Sequence, residues 1–168
     1  MSTFKFTSKL EDTAKFQEMQ YDYYVNVLKI AEAAGAPKLS AKEFSADSIA
    51  SMQDVLPPRG RTLIATGENE RYAGCGQLRR VRDNAVEMKR IFVRPEAQGT
   101  GLGRRLFEML LEEAHSMGMA EVFADTVNGN SAMLNMFEKY GFEYIDRYPE
   151  NANPPEFEPF LVYLRYQF

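Results

Sequence analysis

Residues 88–117, MKRIFVRPEAQGTGLGRRLFEMLLEEAHSM, decide the fold. An apolar run, Ile91-Phe92-Val93, halts at Arg94-Pro95 and passes into the loop Gln98-Gly99-Thr100-Gly101-Leu102-Gly103. It then opens a helix whose Leu106, Leu110, Ala114 and Met117 recur at helical spacing. Gly99, Gly101 and Gly103 carry no Cβ, so the backbone there can take conformations closed to other residues and come close to a bulky anion. The helix start adds N–H groups without intrahelical partners and the positive end of its dipole, with Arg104 and Arg105 beside it. The stretch reads as a phosphate cradle between a strand and a helix.

Spacing excludes two other glycine loops. A dinucleotide fingerprint needs Gly-x-Gly-x-x-Gly near the start of a βαβ unit, but here the third glycine falls one position early and much chain precedes it. A P-loop needs Gly-Lys-Ser/Thr, which is absent. Gln98-x-x-Gly101-x-Gly103, following Ile91-Phe92-Val93-Arg94-Pro95, resembles the coenzyme A loop of the GNAT superfamily of N-acetyltransferases. Downstream, Asn130-Ser131-Ala132-Met133-Leu134-Asn135-Met136-Phe137-Glu138-Lys139-Tyr140-Gly141-Phe142 resembles that family's second signature: an asparagine, a short helix, and Gly-Phe opening the next strand. The resemblance covers residues 60–168, and the first third fits in outline. It implies one domain over 1–168, in which 1–59 supply an N-terminal strand and acceptor-site helices and 60–168 the coenzyme A-binding core and C-terminal strands. The implied fold class is α/β (α+β), a central mixed, mostly antiparallel sheet of about seven strands flanked by about four helices.

At 168 residues, 45% of them hydrophobic, the chain can bury one core and is short for two. The single cysteine, Cys75, excludes an intrachain disulfide, and with one histidine no group has zinc-ligand spacing, so no metal is expected. The N-terminus MSTFKFTSKLEDT lacks the apolar core of a signal peptide, and no run approaches the ~20 apolar residues that span a bilayer. A cytoplasmic protein without a membrane partner is expected. The net charge of −4 argues against a nucleic-acid surface.

Leu10 to Ala34 carries Phe16, Met19, Tyr23, Val27 and Ile30 at spacings of three and four, one face of a helix, and Phe4 to Thr7 alternates like a short strand. Gly35-Ala36-Pro37 breaks that helix, and Ser45 to Ser48 offers caps for another that ends before Pro57-Pro58. These helices are expected to floor an acceptor site. Residues 61–67, 72–81 and 86–94 read as an antiparallel meander, and 121–126 as a strand parallel to the last across a helical crossover. Residues 142–147 and 159–166 read as two final strands joined by a proline-rich loop. The aromatic strand Phe160 to Tyr166 is a candidate edge for a homodimer.

An alkyl amine has a pKa near ~10, so it must lose a proton before it can attack a thioester. Glu87, six residues before Val93, matches the position where many GNAT enzymes carry a catalytic glutamate; the alternative is a strand-surface carboxylate paired with Lys89 or Arg90. Asp125 is the second candidate. The resemblance implies that Val93 gives its backbone N–H to the thioester carbonyl and that Ile91, Phe92 and Val93 form the strand along which the pantetheine arm pairs. It also implies that Gln98, Gly99, Thr100, Gly101, Leu102, Gly103 and Arg104 hold the coenzyme, and that Asn130 touches it, with helix capping as the alternative. Phe137 stands where many members place a tyrosine that protonates the departing thiolate. It borders the cofactor on this reading but has no proton to give.

Tyr140 and Tyr144 read as packing residues, and Tyr21, Tyr23 and Tyr24 either as core or as an aromatic wall of the acceptor pocket. His115 reads as solvated. Cys75 lies between two glycines with no histidine nearby in sequence, which disfavours a nucleophilic role. The implied activity is transfer of an acetyl group from acetyl-CoA to a primary amine of a small molecule, by direct attack in a ternary complex. Two further readings stay open: a non-catalytic coenzyme A-binding sensor or assembly domain, which Phe137 favours, and a protein N-acetyltransferase. The loop from Tyr148 to Glu158 is expected to decide the acceptor.

Overall fold

A computed structural model describes all 168 residues. The elements run Thr3–Thr7 (β1), Thr13–Ala33 (α1), Ala41–Ala50 (α2), Gly60–Thr66 (β2), Tyr72–Arg82 (β3), Ala85–Val93 (β4), Leu102–Ser116 (α3), Glu121–Val127 (β5), Ser131–Lys139 (α4), Glu143–Ile145 (β6) and Leu161–Gln167 (β7). They build a seven-stranded sheet in the order β1-β2-β3-β4-β5-β7-β6. The pair β4–β5 is parallel and the others are antiparallel, so the sheet is mixed and mostly antiparallel as the sequence implied.

Alternation along the strands sends successive side chains to different helix layers. Leu63, Leu78, Val86, Met88, Val122 and Ala124 face α3 and α4, packing on Leu106, Phe107, Leu110 and Phe137. Ile64, Cys75 and Phe92 face the other way, onto Phe16 and Met19 of α1. Helix α3 sits low on the sheet because β3 offers it a notch. A Cβ on Gly74 would stand 2.7 Å from Phe92 O and 2.9 Å from Leu102 Cδ2, and one on Gly76 would stand 2.5 Å from Leu110 Cδ1.

Local chemistry fixes the first two helices. Asp12 caps α1, its side chain accepting from Lys15 N at 2.9 Å. The expected cap of α2 at Ser45–Ser48 is corrected to Ser40, which accepts from Glu43 N at 3.2 Å. Ser45 and Ser48 lie inside the helix, buried, with hydroxyls donating back to Lys42 O and Ser45 O. The expectation of a free edge at the C-terminal strand is also corrected. β7 runs between β5 and β6 and is paired on both sides at Tyr163, Leu164 and Arg165, which leaves β1 and β6 as the sheet edges. No helix is long and apolar enough to cross a membrane, and no group of three or more His, Cys, Asp or Glu side chains could hold a metal.

Candidate active site

The site begins with a defect in β4. Cys75 pairs with Phe92 but Gln77 pairs with Lys89, so β4 carries one residue more than β3 between them, and Arg90 takes a positive φ of 52°. The Arg90 guanidinium leaves the strand, Nε donating to Tyr24 OH and Nη1 to Gln77 Oε1, both at 3.0 Å. Pairing with β5 stops at Met88–Ala124, just before the bulge. Beyond it the two parallel strands splay apart. The C-terminal end of β4 is held instead to α1 by the buried Arg94, which donates to Tyr72 O at 2.8 Å and pairs with Glu18 and Asp22.

The splayed edge of β4 opens a groove. Arg94 N donates to Ala73 O, and antiparallel alternation therefore turns the N–H and C=O of Val93 to the opposite, splayed edge. The Val93 carbonyl accepts from Gln98 Nε2 at 3.1 Å. A cavity of about 310 Å³ runs along this edge and gathers Ile91, Phe92, Val93, Gln98, Gly103 and Asn130 from the sequence-predicted set. Thr100, Gly101 and Leu102 open on the other side of the loop, into a hollow of about 650 Å³ shared with Phe4, Arg71 and Arg105. Gly99 and Arg104 line neither cavity, and Arg104 Nε lies 3.6 Å from Glu108.

The loop itself is shaped for an anion. Gly99 and Gly101 have φ of 76° and 86°, and a Cβ on either would meet open space, so their demand is conformational and not steric. Gly101 is the N-cap of α3 and offers no side-chain cap. The first N–H groups of a 15-residue helix are thus left to a ligand. A pyrophosphate suits these donors. Asn130 sits at the N-cap position of α4 without capping it; its Nδ2 donates to Thr126 Oγ1 at 3.0 Å.

A second pocket, of about 100 Å³, lies between α1, α2, β5 and the loop before β7. A gap of about 30 Å³ between the splayed strands lies beside both, bordered by Lys89, Arg90, Ile91, Asp125 and Phe137 among others. That volume is about one water's share. Tyr23 lines groove, gap and pocket alike, and Asp125 lines gap and pocket. Phe137 is buried behind the gap against Phe107 and Phe142. Tyr140 and Tyr144 turn away to Glu108 and Glu138; Tyr140 packs against the core as expected, whereas Tyr144 is corrected to an exposed surface residue.

Glu87 shares a sheet face with Asp125 but has different company. It is 2% exposed, lies opposite Arg79 in the β3–β4 register, and has Arg79 Nε at 3.2 Å and Lys89 Nζ at 3.3 Å. Tyr148 OH donates to its other oxygen. Burial alone would raise its pKa, but Lys89, Arg79 and Tyr148 together outweigh burial and hold it below the ordinary carboxylate range. Glu87 lines none of the three spaces. Asp125 goes the other way: its depth, and then the charge of Glu87, push its pKa up. Asn151 and Asn153 both donate to Asp125 Oδ2, at 2.7 and 3.1 Å, and Oδ1 takes no bond from the protein. The surface that Asp125 retains faces the cavities. Neither the bulge at Arg90 nor this paired-amide support was drawn from the sequence, although two asparagines one residue apart beside prolines are a visible signal.

Comparison with known proteins agrees with this geometry. The acetyltransferase (GNAT) family model matches residues 24–142. The chain belongs to the GNAT family of acetyltransferases. It is 28% identical over 115 residues to an uncharacterized N-acetyltransferase of Schizosaccharomyces pombe, covering 68% of each chain. It is 30% identical over 106 residues to the IAA acetyltransferase of Azospirillum brasilense, covering 62% of this chain and 67% of that one. The structure of yncA from Salmonella typhimurium, solved with its cofactor acetyl-CoA, superposes at a TM-score of 0.65 with 22% identity, over 99% of this chain and 93% of the other. The protein is an acyltransferase of this family, whose co-substrate is acetyl-CoA. The GNAT loop residues fit that co-substrate through the uncapped helix start and the open space over Gly99 and Gly101.

Proposed function

We propose that this GNAT enzyme moves an acetyl group to the primary amine of a small molecule by direct attack within a ternary complex. The observation that carries the reading is the junction of the β4 groove, the small gap beside it and the pocket floored by α1 and α2, where Tyr23 lines all three spaces and Asp125 lines gap and pocket. Acetyl-CoA supplies the activated acyl group when bound. The residues at and around Gln98, Gly101 and Gly103, with Asn130, would hold it, and the Val93 N–H on the splayed edge would meet charge growing on the carbonyl oxygen.

Asp125 is the base on this reading. Its Oδ1 is free, its raised pKa lets it accept a proton from an ammonium, and the amine so released is the nucleophile. Glu87 then serves by position and charge, lifting Asp125 and binding the floor of the site to Arg79 and Lys89. Burial raises the pKa of Tyr23, the phenol common to all three spaces, so it keeps its proton and serves as a hydrogen-bond donor to the departing sulfur, while protonated Asp125 supplies the proton that the thiolate takes. The second proton of the attacking nitrogen leaves to water. The name of the Azospirillum relative, IAA acetyltransferase, also supports a small-molecule acceptor.

The test is thiol release over a panel of amines, with acetyl-CoA binding measured in parallel. Asp125→Asn is expected to lose ~10²–10⁴ in kcat while binding acetyl-CoA normally, Tyr23→Phe to lose ~10-fold or more, and Glu87→Gln, assayed below its melting range, to stay within ~10-fold of the parent. Binding of acetyl-CoA without amine-dependent release over the whole panel would overturn the proposal in favour of a sensor. Full activity in Asp125→Asn would remove the base.

A further inference from the structure

The acceptor pocket has one sign of charge in it. Twelve of its fifteen lining residues are apolar or aromatic, among them Val27, Leu39, Phe44, Phe157 and Phe160, and the remaining three are Asp125, Thr126 and Asn153. Asn153 is committed to Asp125 Oδ2. No cation is among the lining residues. Lys89 lies 3.3 Å from Glu87, Arg90 donates to Tyr24 OH and Gln77 Oε1, and Arg147 donates through Nη2 to the backbone oxygens of Asn151 and Asn153 while its Nη1 is buried without a partner; none of the three lines the pocket. An ammonium entering here meets a free carboxylate oxygen. A carboxylate entering here meets the same oxygen and no cation on the lining.

We infer that the acceptor is a compact apolar primary amine whose amine is its one charged group, so that carboxylate-bearing amines, the α-amino acids included, are excluded by charge. The inference rests on the acetyl-transfer reading above and narrows it. Asp125 takes the ammonium and the aliphatic and aromatic wall takes the hydrocarbon. The size follows from the volume: about 100 Å³ is below the ~150 Å³ of a cavity that accepts benzene, which favours a compact acceptor over a longer arylalkyl amine. Tyr24 and Phe44, whose rings lie 5.3 Å apart, close one side of this box.

A matched pair separates charge from shape. 3-Methylbutylamine and L-leucine share the same branched chain and differ by the carboxylate. Thiol release at saturating acetyl-CoA should give a kcat/KM at least ~100-fold higher for the amine, since a like charge beside Asp125 is the discriminating contact. Equal or better use of leucine would overturn the inference and leave acetyl transfer standing. Release with neither compound, in a protein that binds acetyl-CoA, would overturn the inference together with the small-amine reading beneath it. A preference of phenethylamine over 3-methylbutylamine by more than ~10-fold would overturn the size argument while keeping the charge argument.

Discussion

Replacing Glu87 with glutamine tests whether this carboxylate holds the sheet or does chemistry. The Glu87 side chain is 3% exposed, whereas its cationic partners Arg79 and Lys89 keep 22% and 20% of their surface. Removing one member of a buried ion pair costs ~3–5 kcal/mol because the other charge is stranded. Here the stranded cations retain some access to water, and glutamine still accepts from Tyr148, so the expected cost falls to about 2 kcal/mol. For a chain of 168 residues that is about 4–8 °C in Tm. The sign with pH follows from the direction of the shift. Glu87 has its folded pKa lowered, because Lys89, Arg79 and Tyr148 outweigh burial. Its contribution is therefore present above the unfolded value of ~4.3 and is lost as pH falls through the folded value. Urea midpoints of parent and Glu87→Gln, followed by circular dichroism, should differ most near pH 7 and converge as the solution is taken below about 4. Two proteins of equal stability at pH 7, or a gap that stays constant on acidification, would refute the buried-pair argument.

Three other outcomes are expected. Because Asp125 has a raised pKa through its burial and the charge of Glu87, kcat should rise with pH at an inflection above the ordinary ~3.9, and Glu87→Gln should move that inflection downward; a steady-state pH profile of both proteins checks it. Gly101→Ala, at a φ of 86° with open space around the added methyl, should cost ~1 kcal/mol of stability and weaken acetyl-CoA binding by roughly tenfold, measured by calorimetry. Burial pushes the Cys75 thiol up to about 12, so iodoacetamide at pH 8 should leave native protein unmodified and add one group in urea, read by mass spectrometry.

The strand, loop and helix around Gly99–Gly103 are legible in the sequence because each of their requirements is local. The glycines, the proline stop and the 3.6-residue period lie within one continuous stretch, and α3 begins and ends within a residue of where the pattern puts it. The meander is legible for the same reason. Which carboxylate meets the cavities is not. Glu87 and Asp125 occupy equivalent faces of adjacent strands, and the choice between them is made by partners distant in sequence. Tyr24 and Gln77 draw Arg90 out of the strand, and Tyr148 closes over Glu87. Sequence proximity names Lys89 and Arg90 as partners for Glu87; Lys89 is one, Arg90 is not, and the other comes from across the ladder as Arg79. Strand order is likewise a long-range property, and the periodicity of β7 carries no sign that β6 returns to its free side.

Helix α1 is a wall common to two rooms. Tyr23 and Val27 border both the β4 groove and the apolar pocket, whereas Leu39, Phe44, Phe157 and Phe160 border the pocket alone. A substitution at Tyr23 or Val27 that reshapes the pocket therefore disturbs the groove with it, while substitutions at Tyr24, Leu28 and Ala31 of the same helix, on α2 and in the loop before β7 meet the pocket alone. Variation in acceptor preference has a free path through the residues that border the pocket alone and an obstructed one through Tyr23 and Val27, so a library aimed at new acceptors should be built on Leu39, Phe44, Phe157 and Phe160 and should keep those two constant.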